Sequence, residues 1–150
     1  MHRIGGTSQA LNVSMTSKVS MKTTKLTNNQ QIVLDALSRS KTPMSAYQIL
    51  DVDSVRSKGL KAPLTIYRAL DKLIEAGLVH RIESLNAFVR CDQGHHVEPP
   101  AFMICQECRQ IIEVGTRAIQ RTVEKQAAEQ GFQIDQMHVE VSGTCRACAD

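Results

Sequence analysis

The apolar positions of this chain alternate between two periods. In LTNNQQIVLDALSRS (26–40), Ile32, Val33, Ala36 and Leu37 recur at the spacing of one helix face, and Thr27 stands where an N-cap belongs. Pro43 breaks that helix. Ser45 then offers a second cap, and Ala46, Ile49 and Leu50 mark a short second helix. After the basic turn KGLKAP, Ile66, Ala69, Leu70, Leu73 and Ile74 form the stripe of a third helix. Thr65 sits at its start and Gly77 at its left-handed stop. The period then drops to two: LVHRIESLNAFVRC reads as a β-hairpin with a polar break at SLN.

Three helices followed by a hairpin is the order of a winged helix-turn-helix, in which the third helix enters the DNA major groove. Off its apolar stripe that helix carries Thr65, Arg68 and Lys72, with Tyr67 beside them. Arginine reads guanine bidentately, and Thr and Lys suit phosphates or base edges. A solvated helix face would look the same in isolation.

DQGHHVEPP (92–100) interrupts the pattern as a hinge. Beyond it, AFMICQEC reads as a strand entering a cysteine knuckle, and RQIIEV as a second strand. TRAIQRTVEKQAAEQG is an amphipathic helix whose Ile119, Val123 and Ala127 share a face. FQIDQMHVEVSGTCRAC alternates as a third strand ending in a second knuckle, with His138 taken as structural. The expected division is a disordered arm (1–25), a winged-helix domain (26–91), the hinge (92–100) and a small α/β dimerisation domain (101–150), an α+β protein overall.

Charge sharpens this division. Residues 1–90 hold 13 Lys/Arg against 6 Asp/Glu, and residues 91–150 hold 5 against 9. Only the first part has the balance of a polyanion-binding surface. No apolar run approaches a membrane span, and the first residues lack a secretory pattern, so a cytoplasmic protein with no membrane partner is expected. No phosphate loop, nucleophile elbow or H-E-x-x-H occurs, so neither an enzyme nor a small-molecule substrate is expected.

Cys105 and Cys108 form one Cys-x-x-Cys pair, and Cys145 and Cys148 another, 36 residues apart. Each turn offers two thiolates to one ion, and together they suit a closed tetrahedral zinc site. Disulfides or a redox pair are the alternatives, but a thioredoxin-like motif uses a single pair. Cys91 stands apart, near His80, His95, His96 and Glu113, from which a second N/S/O site could be drawn. A buried thiol in a polar neighbourhood would have the same sequence.

LTIYRALDKLIEAGLVHRIES resembles the third-helix-and-wing block of the ferric uptake regulator family, whose members share a T-[VI]-Y-R-x-L core. LTNNQQIVLDAL and MSAYQIL resemble its first two DNA-domain helices, and FMICQEC and GTCRAC its structural zinc cysteines. The resemblance spans about residues 26–149 and is strongest to the zinc-uptake regulators of the family. It implies a homodimeric repressor that grips operator DNA when a regulatory zinc is bound, with two zinc ions per subunit. It matches the regulatory ligands to His80, Cys91, His96 and Glu113, and base contact to Tyr47 and Arg68. The thiolate of Cys91 favours zinc over harder Fe(II) or Mn(II). The alternatives are a relative sensing iron, manganese or peroxide, or an interaction module with structural zinc only.

Overall fold

The computed structural model describes residues 25–92 and 100–149. Residues 1–24 of the arm and the hinge histidines, His95 and His96, lie outside the described residues.

Helix α1 (Asn28–Arg39) starts in a reciprocal capping box between Thr27 and Gln30, and buries Ile32, Val33, Ala36 and Leu37. Helix α2 (Ala46–Asp51) repeats the device with Ser45 and Gln48. A further single turn, α3 (Asp53–Arg56), tucks Val55 into the core; it was not expected, because four residues carry no period. The helix expected as the third is therefore α4 (Pro63–Glu75). It begins one residue early because Pro63 fits its first turn.

Helix α4 ends in a Schellman motif. The N–H of Leu78 reaches the carbonyl of Leu73 at 2.9 Å, and that of Gly77 reaches Ile74 at 2.9 Å. Gly77 holds φ at +69°, a backbone region that other residues enter at a cost. The expected buried face holds for Ile66, Ala69, Leu70 and Leu73, but Ile74 is exposed at the stripe's edge.

Strands β1 (Val79–Ile82) and β2 (Ala87–Arg90) form the wing, pairing Val79 with Arg90 and Ile82 with Ala87. A 3-10 turn (Glu83–Leu85) joins them, with Asn86 in the left-handed region. Met44 bridges to Phe88, so the wing closes on the helical core.

The second unit is a three-stranded sheet in the order β4-β3-β5. β3 (Ala101–Cys105) is antiparallel to β4 (Ile111–Val114) and parallel to β5 (Val139–Gly143). Helix α5 (Arg117–Glu129) makes the crossover. The strand expected from Phe132 begins only at Val139: the alternation of 132–138 meets no partner strand, and His138 lies exposed just outside β5.

The sheet's two faces differ. One carries the cross-strand row Glu113–Phe102–Glu140, the other the row Ile112–Met103–Val141. The first faces the wing, where Ile82, Phe102 and Ile104 form a small core with Leu85, Val89 and Ile111. The second is exposed.

Candidate metal centres and nucleic-acid face

The first knuckle follows β3 directly, and the second follows β5. Because β3 and β5 run parallel and adjacent, both Cys-x-x-Cys pairs reach the same end of the sheet. The N–H of Gln106 donates to the carbonyl of Gly143 at 2.8 Å, and that of Cys145 to the Cys105 sulfur at 3.4 Å. All four sulfurs lie within 4.8 Å of one another, with Cys108 and Cys145 at 3.7 Å. A tetrahedron with 2.3 Å zinc–sulfur bonds has edges of about 3.8 Å. The donor set and spacing thus fit zinc.

Charge within the cluster is uneven. The backbone of Cys108, then that of Cys145, holds the Cys105 thiol down to about 6 against the opposing effect of burial. Contact with the Cys145 side chain, then with Cys108, pushes Cys148 up to about 12. The backbone of Gln110 pulls Cys108 down, but Cys105, burial and Cys145 outweigh it, and the thiol ends above its ordinary value.

The second cluster forms between the units. His80 sits on β1, Cys91 directly after β2, and Glu113 on β4. The N–H of Cys91 donates to Leu78 at 2.9 Å, which fixes the thiol beside the wing's base. The rings of His80 and Phe102 are 5.5 Å apart, and Phe102 is the cross-strand partner of Glu113. One ligand atom from each of His80, Cys91 and Glu113 lies within 4.8 Å of the other two. Cys91 is 7% exposed, and the Nε2 atom of His80 is buried. Imidazole, thiolate and carboxylate together make a borderline-soft set that also fits zinc.

The nucleic-acid candidates lie at the other end of the winged helix. Tyr47 on α2 and Arg68 on α4 are exposed, and Thr65 is partly so. Thr65, Arg68 and Lys72 line a groove with Thr27, Asn29 and Gln30 from the start of α1. The Nζ atom of Lys72 is 2.7 Å from Glu75, an exposed pair. Tyr67 is half-buried, packed edge-on against Phe88 with centroids 6.5 Å apart. Much of its ring thus braces α4 against the wing.

One contact had no signal in the sequence. The Glu140 carboxylate accepts hydrogen bonds from the backbone N–H of Glu83 at 2.6 Å and of Ser84 at 3.0 Å. A glutamate on a short strand does not announce a partner 57 positions away.

A winged helix joined to a cysteine-clustered α/β unit defines the class. A model of the ferric uptake regulator family matches residues 21–142, and the chain belongs to that family. It is 33% identical over 147 residues to the zinc uptake regulation protein of Escherichia coli K12, covering 96% of this chain and 84% of that one. It also resembles a solved zinc uptake regulator complexed with zinc and DNA, at 35% identity and a TM-score of 0.72, covering 83% of each chain. A second solved structure, described as holo XcZur, matches at 36% identity and a TM-score of 0.72, covering 83% and 86%. Among the described residues no helix is long and apolar enough to cross a membrane.

Proposed function

We propose that this chain is a zinc-responsive repressor that binds operator DNA as a homodimer, with two zinc ions per subunit. The observation that carries the reading is the position of the His80–Cys91–Glu113 cluster: two donors belong to the DNA-binding wing and one to the second unit's sheet. The similarity to a regulator solved with zinc and DNA supports the same conclusion.

Cys105, Cys108, Cys145 and Cys148 would hold the structural ion and close the sheet's end. His80, Cys91 and Glu113, with His96 from the hinge as the fourth ligand, would hold the regulatory one. Zinc there supplies a positive centre shared by wing and sheet, favouring one relative pose of the two units. In that pose Tyr47, Thr65 and Arg68 face the major groove, with Arg68 and Tyr47 reading base edges and Tyr67 steadying the helix. Coupling of about 1–3 kcal/mol would change DNA affinity roughly 5- to 150-fold.

Dimerisation would use the outer sheet face. Met103, Ile112 and Val141 are exposed in one row. The amphipathic helix α5 buries none of its residues, and Ile119 and Val123 stay exposed. Such a surface suits a second copy, and two copies present paired reading helices. We read the chain as a regulator rather than an enzyme, which its place in the ferric uptake regulator family supports. A cytoplasmic setting suits five free cysteines, four of them clustered.

The test is operator affinity, at fixed salt, as free zinc is raised with the four-cysteine ion in place. A rise within the range above is expected. Unchanged affinity would leave an interaction module with structural zinc only.

A further inference from the structure

The row Glu113–Phe102–Glu140 faces the wing along its whole width, and each of its members touches the wing at a different place. Glu113 joins the cluster with His80 and Cys91 at the wing's base. Phe102 packs on His80 and in the small core with Ile82. Glu140 grips the wing's turn. One oxygen accepts from the Glu83 N–H at 2.6 Å, the other from the Ser84 N–H at 3.0 Å. Neighbouring strands are about 4.8 Å apart, so the two glutamates hold the wing at points separated by roughly 10 Å.

We propose that Glu140 is a positioning residue that sets the zinc concentration at which the protein binds DNA, by clasping the wing's turn to β5 independently of metal. This rests on the zinc-responsive reading above. The clasp uses protein groups alone, so it acts before the regulatory site fills. It holds the turn where His80 and Cys91 meet Glu113 and thereby raises the fraction of molecules already in the metal-accepting pose. Apparent affinity scales with that fraction. Burial works to raise the Glu140 carboxyl's pKa, but the nearby Ser84 side chain and the bonds from the Ser84 and Glu83 backbone N–H groups outweigh this and lower it. The carboxylate thus makes charge-assisted bonds, the stronger kind.

The test compares the full chain with Glu140→Gln and Ser84→Ala. Glutamine sets an NH₂ against one of the N–H donors, and alanine removes only the hydroxyl. DNA binding is titrated against free zinc at fixed salt, and the thiol-bound zinc of the four-cysteine cluster is measured alongside. Glu140→Gln should raise the zinc half-point about 3- to 30-fold, and Ser84→Ala by less. At saturating zinc both should return to within about 3-fold of the parent's DNA affinity, because filled ligands then hold the pose themselves. A purely structural residue would instead lower the plateau or the four-cysteine zinc content. Equal half-points for parent and both variants would overturn the proposal, as would a lost plateau with an unmoved half-point. A parent protein indifferent to zinc would instead overturn the functional reading beneath it.

Discussion

Glu113 and Glu140 stand on opposite edges of the three-stranded sheet, in one row, each paired across the backbone with Phe102. Glu113 reaches the donors at the wing's base, and Glu140 the turn at its tip. The sheet thus meets the wing at two polar contacts with an aromatic ring between them. The opposite row, Ile112–Met103–Val141, is exposed.

Phe102 is the apolar centre of this contact. Phe102→Ala removes the ring that packs on His80 and fills the core beside Ile82. A loss of about 3–5 kcal/mol is expected from denaturant unfolding monitored in the C-terminal unit. Zinc affinity at the His80 cluster should fall about 10- to 100-fold, the usual effect of loosening a ligand's support. Competition with a chromogenic chelator would measure it.

The four-cysteine cluster should release protons when it binds zinc. Cys148 is pushed up to about 12, and Cys108 is also raised, so both enter neutral solution as thiols. Cys105, held down to about 6, is already largely a thiolate. Zinc must displace at least those two protons, so its affinity for the cluster rises with pH above neutrality. Calorimetry in buffers of different ionisation enthalpy would count them. Strong chelation should unfold the end of the sheet, because the knuckles bury little apolar surface of their own.

Gly77→Ala should destabilise the winged-helix unit by about 1–2 kcal/mol, since φ of +69° puts a Cβ against the following carbonyl. Thermal unfolding would register it. DNA affinity at a temperature where both proteins are folded should change little.

Two positively charged residues on α4 should behave differently on DNA. Arg68→Ala should cost about 1–3 kcal/mol and relax the preference for one base pair. Lys72→Ala should weaken binding about equally on all sequences and reduce the salt slope by about one. Lys72 is a point charge without the planar fork by which Arg68 can read a guanine edge, which suits a phosphate contact more than base readout. Binding to single-base operator variants at several salt concentrations separates the two roles.

Local signals made most of the elements legible in the sequence. Thr27 and Ser45 announced their helices because a cap acts within three residues. Gly77 announced the end of α4, and both cysteine pairs announced a shared cluster. What local pattern could not carry was partnership. The alternation of 132–138 promised a strand, but a strand needs a neighbour, and only 139–143 has one. Ile74 belongs to the apolar stripe by period, yet it lies exposed, with nothing among the described residues covering that edge. Of the residues that the resemblance matches to a regulatory site, His80, Cys91 and Glu113 lie together, and His96 lies outside the described residues. Glu140's contact with the wing escaped because it depends on a fold-level register and not on its neighbours in sequence.

The central claim is that the thiol of Cys91 lets zinc set the posture of the DNA-reading unit. Its most direct test is operator affinity against free zinc, at one salt concentration, for the parent protein and Cys91→Ser, with dimerisation and four-cysteine zinc verified in both. The account predicts that Cys91→Ser stays a folded dimer with its structural ion and loses the zinc-dependent rise in affinity. An undiminished rise in Cys91→Ser would contradict it.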